Sequence, residues 1–131
     1  MLRIILGILA GVVAAVLIVF AFEGLGHIVF PPPPGLDLAN PEALATIIDQ
    51  LPVGALAFVM VAWMAGAFGG GALAAGIARR PWAAWLVGLI MLAGGAWSMV
   101  MIPHPLWMKL ALLPATLVPA FITGRLFAPA R

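Results

Sequence analysis

The sequence predicts an all-α membrane protein: a bundle of four transmembrane helices, with a short amphipathic helix in the outer loop between the first two. Three observations carry that expectation. The 131 residues are 66% hydrophobic and only 8% charged, with a mean hydropathy of +1.25. A soluble domain carries about a quarter charged residues, and too little polar surface is present here to cover a water-exposed globule. The apolar residues fall into four runs, each of about the twenty residues needed to cross a hydrocarbon core roughly 30 Å thick. Prolines and arginines punctuate those runs.

The chain reads as one membrane domain, residues 1–131. Its first span covers residues 2–29 and is ended by the tetraproline Pro31–Pro34. Arg3 could serve as the basic start of a signal peptide. The apolar run behind it exceeds the 7–15 residues of a signal sequence, and no small-x-small cleavage site follows, so a retained span is expected. The second span covers 52–78 and stops at Arg79 and Arg80. The third covers 81–102 and stops at Pro103, and the fourth covers 105–127. Pro52, Pro81 and Pro105 each open a span, where a missing N–H costs nothing. Pro114 and Pro119 lie inside the fourth. They should kink it and strip the carbonyls of Leu110 and Ala115 of their usual partners, with Thr116 or Thr123 satisfying a nearby backbone group.

Charge orients the bundle. Arg3, Arg79, Arg80, Arg125 and Arg131 fall on one side of this arrangement, while Glu23, Asp37, Glu42 and Asp49 fall on the other with Lys109. The positive-inside rule then places both termini in the cytoplasm and the loop 30–51 on the opposite side, periplasmic or extracellular. Trp82 and Trp85 mark the inner interface, Trp97 and Trp107 the outer one.

Within the outer loop the prolines favour an extended rod of about 3 Å per residue. "NPEALATIIDQLP" then reads as a short helix with Asn40 as its N-cap and Pro41 in its first turn. Leu44, Ile47, Ile48 and Leu51 form an i, i+3, i+4, i+7 stripe. The segment lacks the lysines and arginines of an anionic-lipid binder, so a lid over the bundle is expected. Gly7 with Gly11, and Gly66 with Gly70, form two GxxxG pairs suited to close helix packing. The glycine run around Gly70 is no phosphate loop, since no GK[ST] follows it.

The strings "GHIVFPPPPGLDLANPEALATIIDQLPVGAL" and "IPHPLW", with the paired arginines between them, resemble a group of small, uncharacterised four-span bacterial inner-membrane proteins. The resemblance covers nearly the whole chain. It implies the same topology and a bacterial inner membrane, and brings no activity, cofactor or partner with it.

Function must therefore be read from the few polar residues. At 1.5 Å per residue, Glu23 lies about 9 Å outward of a span centred near Leu17, and His27 about 6 Å further on the same face. His104, in the short outer turn, reaches the same level, as do Ser98, Lys109, Trp97 and Trp107. An ionised carboxylate in lipid costs about 2.5–3.5 kcal/mol and needs an inward face and a partner. Glu23, His27, His104, Ser98 and Lys109 are thus the candidate polar cluster. It is read as an interhelical clasp or as a proton-coupled or ligand-binding site. Glu23, His27 and His104 also make the ligand set of some zinc sites, without the spacing of a metal motif. Met60, Met99, Met101 and Met108 would suit Cu(I), and equally suit packing, as does Trp63. No resident metal or cofactor is expected.

Other chemistries are poorly served. The chain has no cysteine, which removes disulfides and thiol nucleophiles together. Ser98 is the only serine and lies in no nucleophile elbow, so no catalytic set is expected. The net charge of +2 reflects scattered residues rather than a basic patch, which excludes nucleic acid as a partner. The expected partners are the bilayer and a larger membrane complex or a second copy. The expected role is a binding, accessory or assembly subunit. The alternative is a small proton-coupled transporter, because four spans with a glutamate in the first resemble the small multidrug transporters. Those need a deep acid and near-balanced charge; here Glu23 lies outward and the bias of arginines is strong.

Overall fold

The computed structural model describes residues 1–35, 37 and 39–127. Arg131 and the side chain of Asp49, both used above to orient the chain, lie outside the described residues. Among the described residues every regular element is helical: α1 (Leu2–Val29), α2 (Pro41–Ile47) with a 3-10 turn at Ile48–Gln50, α3 (Val53–Ala78), α4 (Pro81–Met101) and α5 (Leu106–Leu126). Four of these, α1, α3, α4 and α5, are long and apolar enough to cross a membrane. Of the four, α1 is the most apolar and the least buried, and α5 is the least apolar and the most buried.

Helix boundaries follow proline chemistry, with one difference from expectation. Of the three prolines expected to open spans, only Pro81 occupies a first helical position. Pro52 and Pro105 sit one residue earlier, as extended N-caps with ψ of 143° and 149°. The carbonyls of Pro52 and Pro105 already accept from Ala55 and Leu56, and from Met108 and Lys109. α3 ends at Arg79, which takes the left-handed conformation (φ 55°, ψ 37°) more usual for glycine at a helix C-terminus.

Helix α3 packs against all three other long helices, and α4 also packs against α1 and α5. Small residues set these approaches. A Cβ built on Gly7 would lie 2.9 Å from the Ala78 nitrogen, one on Gly11 2.6 Å from the Gly70 carbonyl oxygen, and one on Gly66 2.8 Å from the Ala15 carbonyl oxygen. Around this α1–α3 seam lie buried Ala15, Val19, Ala67, Ala74, Ala78, Ala83, Val87 and Met91. On the other flank α5 closes in through Gly71 against the Thr123 hydroxyl and Gly88 against Ala120.

The prolines of α5 leave the rest of the helix intact. The buried hydroxyl of Thr116 donates to the carbonyl of Leu112 (2.9 Å) and that of Thr123 to Pro119 (2.7 Å). These are the threonines' own i−4 carbonyls. The groups freed by Pro114 and Pro119, on Leu110 and Ala115, are different ones. The threonines therefore satisfy themselves inside an apolar interior, rather than repairing the proline gaps.

A second apolar cluster occupies the end of the molecule that carries the loop. Buried Ile48, Leu56, Met60 and Met108 form it, with Leu51, Val59, Trp63, Met99 and Ile102 packed around them. The arginine end is thus filled by alanine and glycine, and the loop end by long, flexible side chains. Trp63 touches both clusters.

Candidate functional site

Between the helices at the loop end lies a cavity of about 340 Å³. α1 contributes Glu23, Gly26 and His27. α3 supplies Leu56, Phe58, Met60 and Trp63, α4 supplies Gly95, Ser98 and Met99, and α5 supplies Met108 and Leu112. Phe30, Pro32, Leu44, Ile47, Ile48 and Leu51 of the loop segment and His104 in the turn between α4 and α5 add to its wall. The volume lies at the small end of the roughly 300–1,000 Å³ usual for sites that bind small molecules.

The loop segment is built to reach this wall. Asp37 accepts a hydrogen bond from the Ala39 N–H at 3.0 Å, and the Asn40 side chain caps α2 by accepting from the Glu42 N–H at 3.0 Å. Gly35 turns the chain with φ 79°, a conformation that glycine adopts without strain. From there Leu44, Ile47, Ile48 and Leu51 all line the cavity, and Glu42 and Gln50 are exposed. Ile48 is buried to 6% exposure and is the residue of this segment most deeply engaged with the long helices.

Glycines shape the interior. Gly26, one turn before Phe30, leaves room for the Phe58 ring, since a Cβ there would lie 3.0 Å from it. Gly54 similarly seats the tip of Phe30, and Gly95 seats Leu112. Phe58 also meets Phe22, with ring centroids 6.3 Å apart.

Four of the five polar residues singled out in the sequence, Glu23, His27, Ser98 and His104, line this one cavity. Lys109 does not; it is exposed in the first turn of α5. Glu23 is half-buried and His27 exposed. Among the described residues no hydrogen bond joins Glu23 to His27, although both are on one face. His104 is fixed instead by its own loop: its Nδ1–H donates to the carbonyl oxygen of Ile102 at 2.6 Å. That bond assigns the tautomer of the neutral ring and leaves Nε2 with a free lone pair.

Met60, Met99 and Met108 are in the wall, while Met101 is exposed. Among the described residues no group of three or more histidines and carboxylates is placed to hold a metal ion. Glu23, His27 and His104 share the cavity without converging as a ligand set.

Sequence reasoning overlooked the aromatic wall. Neither Phe30 nor Phe58 stands out in the sequence, and Trp63 reads as packing. Glycine spaced four residues before an aromatic, as in Gly26 and Phe30 or Gly54 and Phe58, was the available signal. Trp97 and Trp107, by contrast, point away from the cavity and are exposed, 68% in the case of Trp97.

The polar atoms, then, are two imidazoles, one carboxyl and one hydroxyl in a wall otherwise apolar and aromatic. Such a wall can hold an amphiphilic molecule and orient its polar end. Compared with known proteins, the chain matches no family model, no curated protein and no solved structure.

Proposed function

We propose that the protein is a small integral protein of a bacterial inner membrane that works by binding. It serves as an accessory or assembly subunit of a membrane complex and holds a small, mostly apolar molecule in the loop-end cavity. The observation that carries this reading is the cavity itself, walled by Glu23, His27, Ser98 and His104 among apolar side chains.

In this reading the four long helices form a membrane bundle. The arginine end, with Arg3, Arg79, Arg80 and Arg125, faces the cytoplasm by the positive-inside rule. The loop end then faces the periplasm, and α2 with its 3-10 turn is an amphipathic lid whose apolar side closes the cavity. Bound molecules enter at the level of the outer leaflet. The bilayer is the protein's constant partner and nucleic acid is not one.

Proton-coupled transport is the second reading, favoured by Glu23 lying in a helix that spans and also lining the cavity. Transport would require the α1–α3 seam to part at Gly11 and Gly70, where backbones are in direct contact. That seam supports binding over passage.

Native mass spectrometry of the protein extracted gently from its own membranes tests the proposal. A larger co-purifying protein, together with a small organic adduct, is the expected result. A bare homo-oligomer without adduct overturns the subunit reading and leaves transport to be assayed in proteoliposomes.

A further inference from the structure

We infer that the cavity is selective for an apolar amine that presents N–H donors: a primary or secondary amine on an aromatic or hydrocarbon body. The inference rests on the binding reading above and adds the chemical class of the ligand.

Hydrogen-bond accounting at the wall gives the polar end of that ligand. An ionised Glu23 carboxylate only accepts. His104 has spent its Nδ1–H on the Ile102 carbonyl at 2.6 Å, so its neutral ring offers a lone pair at Nε2. Ser98 and His27 can each either donate or accept. With Glu23 ionised and His104 neutral, both groups are acceptors, and a ligand meets them by bringing donors.

Charge gives the same answer independently. No lysine or arginine is among the residues that line the cavity. Glu23 is the one carboxylate there among the described residues, so an ammonium is the complementary ion. Charge-assisted N–H···O bonds are about twice as strong as neutral ones. An amine with two or three N–H groups can donate to the acceptors that line this cavity, Glu23 and His104 Nε2 among them. A quaternary ammonium carries the charge but no donor, and an alcohol carries one donor but no charge.

The aromatic wall matches the rest of the molecule. Phe30, Phe58 and Trp63 present ring surface to the same space, which accommodates an apolar body and attracts a cation near a ring face. Met60, Met99 and Met108 add long side chains that adjust to the shape of what enters.

The test uses the full chain in lipid nanodiscs and three probes sharing one body: 4-phenylbutylamine, its N,N,N-trimethyl derivative, and 4-phenylbutanol. Isothermal titration calorimetry should show the amine binding at least tenfold more tightly than either analogue. Glu23→Gln should reduce amine affinity at least tenfold, a larger loss than it causes for the alcohol. In the wild type, the His104 Nε2 nitrogen-15 resonance should report an unprotonated nitrogen in the neutral ring and shift when the amine is added.

Equal or tighter binding of the trimethyl derivative overturns the inference, because charge alone would then be read; so does equal binding of the alcohol. Either outcome leaves the cavity as a binding site. Failure of all three probes to bind overturns this inference and the ligand-binding part of the proposed function together. Should Glu23→Gln fail to fold, the three-probe comparison on the wild-type chain still decides.

Discussion

Gly11 and Gly70 meet backbone to backbone. A methyl group on either would press into the carbonyl oxygen of the other residue. A backbone atom cannot swing aside as a flexible side chain does, so the seam between α1 and α3 tolerates nothing larger than hydrogen at these two positions. In lipid, where apolar helices gain little from leaving the solvent, such close approach is a main source of helix association.

Gly70→Ala should therefore destabilise the fold by about 1–3 kcal/mol, the usual cost of forcing a methyl group into a filled interior. Gly76→Ala, on the same helix, is the control, since nothing lies within 4 Å of a Cβ there. Thermal unfolding in detergent should show a loss for the first and none for the second. Equal midpoints would remove the α1–α3 seam as a determinant of stability.

Arg79 gives a prediction about backbone rather than charge. Its left-handed conformation costs a non-glycine residue about 1–2 kcal/mol, most for a β-branched one. Arg79→Val should lower the unfolding midpoint, while Arg79→Gly should not, although both remove the same charge. A matched loss in the two variants would show that the guanidinium, and not the turn, is what matters at that position.

Ile48 should control the mobility of the loop segment. Replacing it with alanine removes its buried contacts with Leu56, Met60 and Met108, which is expected to cost about 2 kcal/mol, the low end of the range for such truncations. Because α2 has little other contact with the long helices, the loss should stay local. Hydrogen exchange should quicken across residues 41–50 and remain unchanged in α3–α5, whereas Glu42→Ala, at an exposed position, should alter neither.

The absence of cysteine makes the proposed orientation easy to check. A membrane-impermeant maleimide applied to intact spheroplasts should label Pro33→Cys and spare Phe127→Cys until the membrane is opened. Labelling of the second alone would reverse the orientation, and with it the side from which the cavity is reached.

The four long helices were legible because each apolar run is broken by residues with one physical meaning: prolines that withhold an N–H, or arginines that resist lipid. Helix starts at Pro52 and Pro105 were misjudged by one residue, since a proline serves equally well as an extended cap or as a first helical residue. The common level of Glu23, His27, Ser98 and His104 followed from the rise per residue. That they surround a cavity did not, because this depends on how far α1 stands from α4 and α5 at the loop end. Lys109 shares their level but points elsewhere, and rise alone carries no information about rotation around the helix. Phe30 and Phe58 were missed because an aromatic in an apolar run looks the same whether it faces lipid or a hollow.

The contrast between α1 and α5 bears on how the chain is made. α1 emerges first and is the most apolar of the four, so it can enter a bilayer unaided. α5 emerges last, carries two prolines and two threonines, and is the most buried. Its broken backbone bonding is tolerable in lipid only when neighbouring helices shield it. Synthesis in this order delivers α3 and α4, the two helices that receive α5, before the segment that cannot do without them.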